Sequence, residues 1–197
     1  RDAFLDTDAQ ERERGITIFS KQAEFSYGDT AFTLLDTPGH VDFSAEMERT
    51  LGVLDCAVLV ISGSDGIQGH TRTLWRLLAR HSIPTFLFVN KMDLAGSDRD
   101  ALLAQMRARL HSGCLDFTTG LAPLQDDLAS CDEELMDRYL SGGEVTAADA
   151  ASLAARRLVF PCFFGSALKL EGVEEVVEGL SRYVPAPVYP PAFGARV

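Results

Sequence analysis

Three short apolar runs in this chain each stop at a loop built from Gly, Pro, Asn, Asp or Ser, and that repeated pattern limits the fold more than any other feature. Residues 30–36 lead into Asp36-Thr37-Pro38-Gly39-His40. Thr85 to Val89 lead into Asn90-Lys91-Met92-Asp93, and Leu158 to Phe164 lead into Gly165-Ser166-Ala167-Leu168-Lys169. Runs of this length, bounded by turn residues and alternating with stretches of helical spacing, predict buried strands of a mostly parallel sheet. In such sheets ligands sit at the carboxyl ends of the strands, where these three loops fall.

The residue types in those loops carry a specific chemistry. An Asp at the end of a buried strand, here Asp36, can hold Mg²⁺ through a water. A following glycine, Gly39, lets the backbone N–H approach a phosphate because no side chain intervenes. The Asp93 carboxylate can accept two hydrogen bonds from the N1–H and exocyclic amine of guanine, a donor pair that adenine lacks. The backbone of Gly165–Lys169 is placed to meet the guanine O6. Taken singly, each segment also reads as an ordinary turn or loop, since turn chemistry uses the same residues. Their order and their shared position after apolar runs favour the ligand reading.

The remaining pattern fills in a doubly wound α/β domain. Residues 16–27 and 30–36 predict a hairpin around Gly28-Asp29. Helices are expected over 43–54, over 69–81 with Leu74, Leu77 and Leu78 on one face, and over 98–112 with Leu102, Leu103, Met106 and Leu110 as core contacts. Strands are expected at 56–61, 84–89 and 158–164. Residues 113–130 lack periodicity and predict a mobile surface excursion. Helices follow at 131–141 and 146–157, and a last helix turns Val173, Val176, Val177, Leu180 and Val184 inward, with Glu174 and Glu175 at its positive end.

Composition excludes several classes. With 197 residues, 46% of them hydrophobic and 24% charged, the chain can bury a sizeable core. Its net charge of −11 argues against non-specific binding to free DNA, which needs clusters of Lys and Arg. Cys56, Cys114, Cys131 and Cys162 show no C-x-x-C spacing and read as reduced cytoplasmic thiols. His70, His81 and His111 form no ligand cluster, and no apolar stretch is long enough to cross a membrane.

Upstream of the first loop stands Glu11-Arg12-Glu13-Arg14-Gly15-Ile16-Thr17-Ile18. Its charge run alone reads as a solvated face. Together with DTPGHVDF, NKMD and GSALK, it resembles the first switch segment of the translational GTPases, and the resemblance then covers nearly the whole chain. Within that group the chain is most similar to the tetracycline-resistance ribosomal protection proteins. Elongation factor G, which typically inserts a larger subdomain after NKMD and carries GSAFK in place of GSALK, comes second. The resemblance implies a GTPase that uses GTP/GDP and Mg²⁺ and is gated by the ribosome, with ribosomal RNA near His40 and the switch segments. It implies that Thr17 and Asp36 hold Mg²⁺, Asp36 through water, that Gly39 donates to the γ-phosphate, and that His40 orients the attacking water. Asn90 and Asp93 would select guanine, Lys91 would cover its ring, and Ser166 with Ala167 would complete the base pocket.

One departure stands out: no G-x-x-x-x-G-K-[ST] loop occurs in these residues. The family pattern puts it before Arg1, so residues 1–184 read as a GTP-binding domain lacking its first strand and phosphate loop, inactive as an isolated fragment. Residues 185–197, with Pro185-Ala186-Pro187-Val188-Tyr189-Pro190-Pro191, read as a linker and the start of a second β domain. The competing expectation, from a different functional class, is a non-hydrolysing docking module that keeps a nucleotide-binding fold.

Overall fold

The computed structural model describes residues 21–37 and 50–185. Two sheets are present among them. Strands β1 (Lys21–Tyr27) and β2 (Thr30–Asp36) pair antiparallel, with Lys21 opposite Asp36 and Tyr27 opposite Thr30. The two-residue turn works because Gly28 takes φ +56°, the left-handed conformation that a first central turn position demands and that side chains resist. Phe25 and Phe32 stack across the pair with centroids 5.0 Å apart. The expected helix over 43–54 lies largely outside the described residues.

The larger sheet is built from β3 (Ala57–Ser62), β4 (Thr85–Asn90), β5 (Cys114–Asp116) and β6 (Phe160–Phe164), in the order β3-β4-β6-β5 and parallel throughout. Side chains alternate between two cores. Phe86, Phe88 and Phe163 point to one face, while Leu87, Val89, Cys162 and Phe164 point to the other. Both faces must therefore be covered. Helices α1 (Gly69–Arg80) and α2 (Arg99–Arg109) cover the second with Trp75, Leu102 and Met106. The first is covered by α3 (Gln125–Ala129), α4 (Glu133–Leu140), α5 (Ala147–Ala155) and α6 (Val173–Tyr183). Handedness explains this division: the chain moves one way across the sheet from β3 through β4 to β5 and returns to insert β6, so right-handed crossovers must change face at the reversal.

One expectation is corrected, and two are extended by further buried residues. Residues 113–130 are not a loose excursion: Cys114 and Leu115 in strand β5, Phe117 just after it, Leu124 in a 3₁₀ turn at Ala122–Leu124, and Leu128 and Ala129 in helix α3 are all buried. A three-residue strand and a five-residue helix are too short to display a period. The Gln125 side chain fixes the segment, accepting from Val145 N at 2.7 Å and donating to Val145 O at 3.1 Å. On α1 the fully buried stripe is Thr71, Trp75 and Leu78, with Leu74 and Leu77 only partly buried. Trp75 goes inside because it packs on Phe160, ring centroids 4.5 Å apart, under the Arg157 guanidinium. On α6 the expected Val176 is buried and Val173, Val177, Leu180 and Val184 pack partly against the same core, but Gly179 and Tyr183 are buried as well.

Polar contacts hold the hairpin to α6: Thr30 Oγ1 and Ser181 Oγ lie 2.6 Å apart, and Tyr27 Oη donates to Glu174 at 3.3 Å. Among the described residues no helix is long and apolar enough to cross a membrane. Gly179 offers a test of the α6 packing. Helix propensity alone favours Gly179→Ala by about 1 kcal/mol, but a Cβ there would lie 2.4 Å from Phe163 Cζ. Overpacking of about 1–3 kcal/mol wins. The substitution should lower the thermal midpoint, and adding Phe163→Leu should recover part of the loss. A raised midpoint for Gly179→Ala would show that α6 is not seated on Phe163.

Candidate functional site

The register of the parallel sheet places Val89 beside Phe164, so the loops after β4 and β6 leave the sheet side by side. Asn90, the last residue of β4, joins them. Its Oδ1 accepts the N–H of Lys91 at 2.8 Å and that of Ala167 at 2.9 Å. Backbone bonds run in parallel with this bridge: Met92 N donates to Gly165 O at 3.0 Å, and Gly165 N donates to Val89 O at 2.9 Å. The Asn90 carbonyl accepts from Gly63 N at 2.7 Å, which draws in the loop after β3 as well. Lys91 turns the chain with φ +64°, and its carbonyl accepts from Ser97 Oγ at 3.2 Å.

The second loop closes on itself. Ser166 and Glu171 exchange backbone hydrogen bonds of 2.9 and 3.0 Å, and the two flanking glycines make room for that closure. A Cβ on Gly165 would lie 2.0 Å from Glu171 O. One on Gly172, which sits at φ +76°, would lie 2.5 Å from Phe164 O. The closure leaves Ser166 1% exposed, with a buried Oγ that forms no hydrogen bond of good geometry. A native hydroxyl in that position calls for a partner. Leu168 lies exposed on the rim.

Asp93 lies beside this hydroxyl. The Ser166 hydroxyl is the largest influence and holds its carboxyl below the usual carboxylate range; burial, the next largest, opposes it, and the Asp93 backbone and the Lys169 ammonium add smaller lowering effects. Lys169 Nζ is 3.7 Å from Asp93 Oδ2, and the Asp93 side chain is 13% exposed. The site thus presents a charged acceptor and a buried hydroxyl on a rigid backbone frame, able to read a ring edge that carries adjacent N–H donors.

Of the residues singled out from sequence, the structure brings together Asn90, Lys91, Asp93, Ser166 and Ala167. Within the segment whose backbone is expected to meet the guanine O6, the Ala167 N–H is given to Asn90. Asp36 ends β2 and stands on the two-stranded sheet, apart from the strands that carry Asn90 and Ser166. Thr17, Gly39 and His40 lie outside the described residues. Sequence reasoning missed Lys169 as the partner of Asp93, although it belongs to the same motif. It also missed Gly63, whose amide has no side-chain signature.

A parallel sheet with helices on both faces, and with these loops converging at the carboxyl ends of its strands, defines an α/β nucleotide-binding domain of the GTPase type. The chain belongs to the elongation factor Tu GTP binding domain family, whose model matches residues 1–186. It is 42% identical over 202 aligned residues to the tetracycline resistance protein TetM of Streptomyces lividans, covering 89% of this chain and 30% of that protein. Identity to the oxytetracycline resistance protein of Streptomyces rimosus is 40% over 202 residues, with the same 89% and 30% coverage. The chain therefore spans less than a third of the length of these relatives. The crystal structure of a protein from Thermus thermophilus shares the fold, with a TM-score of 0.83 over 92% of this chain and 34% of that one, at 22% identity.

The carboxyl of Asp93 gives a pH test of the geometry. Because its pKa is lowered on folding, it adds stability above the unfolded carboxylate range and loses it as pH falls through the folded value. A ¹³C carboxyl titration should place the Asp93 midpoint below the ordinary 3.8, and Ser166→Ala should raise it more than Lys169→Ala does. A midpoint at or above 3.8 in the unmodified protein would contradict the arrangement.

Proposed function

We propose that this chain is the GTP-binding and GTP-hydrolysing domain of a ribosome-associated translation factor of the tetracycline-resistance ribosomal protection type. The observation that carries the reading is the bridge from Asn90 to Ala167, which sets the Asp93 carboxylate beside the buried Ser166 hydroxyl. Family membership supports guanine nucleotide as the ligand. The printed names of the two relatives support the resistance assignment, and the resemblance of the loop motifs to the translational GTPases supports the ribosome as the large partner.

In this reading Asp93 accepts the guanine N1–H and amine, and the Lys91 stem covers one face of the ring. The O6 meets the backbone of the 165–169 segment, where the Ala167 amide is shared with Asn90. Ser166, held among backbone bonds, keeps the Asp93 carboxylate charged and aligned. Mg²⁺ would be held by Thr17 and by Asp36 through water, where it would neutralise phosphate charge. Gly39 donates its N–H to the γ-phosphate. His40 orients a water for in-line attack on the γ-phosphorus, and the bond to the β–γ bridging oxygen breaks to leave GDP and phosphate. Phosphate groups of ribosomal RNA near His40 would favour its cationic form, so the partner could both position the imidazole and add charge stabilisation. Residues 1–184 form this domain, 185–197 lead onward from it, and its setting is the cytoplasm.

Asp93→Asn in the intact protein tests the base reading. The change replaces one acceptor with a donor, and a mispaired buried hydrogen bond costs about 1–3 kcal/mol. Calorimetric titration should show weaker GDP binding and a preference shifted toward xanthosine diphosphate. An unchanged preference for GDP would remove Asp93 from the pocket.

A further inference from the structure

Arg99 opens α2, at the far end of the loop that begins with Lys91 and holds Asp93. Its guanidinium makes two contacts that belong to different strands. Nε and Nη2 both reach Asp116 Oδ2 at 2.5 Å, at the end of β5. The guanidinium carbon lies 4.9 Å from the centroid of the Phe164 ring, the last residue of β6 and two positions before Ser166. The Asp116 carboxylate is fully engaged, since its Oδ1 accepts the Thr118 amide at 3.0 Å. One planar cation therefore grips the far end of the Asp93 loop and the root of the Ser166 loop together. Lysine, a point charge on a flexible stem, cannot span both contacts with one plane.

The near ends of the same loops are joined by Asn90. With Arg99 at the far end, the Asp93 loop is fixed at both termini, and Asp98 adds an N-cap through its side chain to Ala101 N at 3.0 Å. We infer that Arg99 is a positioning residue for guanine recognition: it sets the alignment of the Asp93 carboxylate against the Ser166 loop without touching the base. The inference rests on the guanine reading of the site. Its consequence is specific, because misaligning Asp93 weakens contact with the exocyclic amine most, and inosine nucleotides lack that amine. Loss of Arg99 should therefore harm guanine binding more than inosine binding, whereas a merely structural role would harm both equally.

The test is stopped-flow release of fluorescently labelled GDP and IDP from the intact protein. Arg99→Met should speed GDP release about tenfold, the scale of 1.4 kcal/mol, and IDP release only about twofold, so that discrimination falls about fivefold. Arg99→Lys should shift it the same way by a smaller factor. Phe164→Leu, which keeps the ion pair and removes the stacking ring, should also lower discrimination, and it carries the test if Arg99→Met does not fold. Equal acceleration of GDP and IDP release, or no change in either, would overturn the inference. Equal release of both from the unmodified protein would instead overturn the guanine reading on which it stands.

Discussion

The Asn90 side-chain oxygen receives two amide hydrogens, from Lys91 and from Ala167, and the candidate site depends on that pair of bonds. Neither is energetically large, since a net hydrogen bond contributes about 0.5–1.5 kcal/mol. Each buried aromatic of the sheet contributes more, about 1.5–3 kcal/mol. The role of Asn90 is thus placement rather than stability. It converts the pairing of β4 with β6, which the hydrophobic cores enforce, into a fixed spacing between the two loops that follow those strands. Asparagine suits the task because it is short enough to bond its own neighbour's amide while still reaching the adjacent strand's loop.

The two sheets are held by unlike forces. Strands β4 and β6 are buried almost throughout, with large apolar side chains on both faces, whereas β1 and β2 contain no fully buried residue. The hairpin meets α6 through hydroxyls and a Tyr–Glu bond. Stability in a fold is not uniform, and elements with few buried apolar contacts open more readily. In the proposed function this division has a use: the base is gripped by the rigid sheet, while Asp36, at the end of the hairpin, belongs to the part that can respond to phosphate.

Much of this was legible in the sequence because the signals are local. Asn90, Asp93 and Ser166 follow apolar runs directly, and the alternation in Phe86-Leu87-Phe88-Val89 is the two-faced pattern of a covered parallel strand. What escaped notice depends on residues distant in the chain. Trp75 is buried because of Phe160 and Arg157, Gly179 because Phe163 occupies the space a Cβ would take, and the 113–130 segment because Gln125 finds Val145. None of these pairings has a periodic signature. Lys169 shows a subtler limit: the motif containing it was recognised, but only the fold shows that its ammonium reaches Asp93.

The central claim is that one side chain couples two loops, and hydrogen–deuterium exchange on the protein and its Asn90→Ala variant tests it without any ligand. The account predicts that protection of residues 91–93 and of 165–167 falls together in the variant, while Phe160–Phe164 stays protected at its original level. Faster exchange confined to 91–93, with Ala167 unaffected, would show that the two loops are held independently and would contradict it.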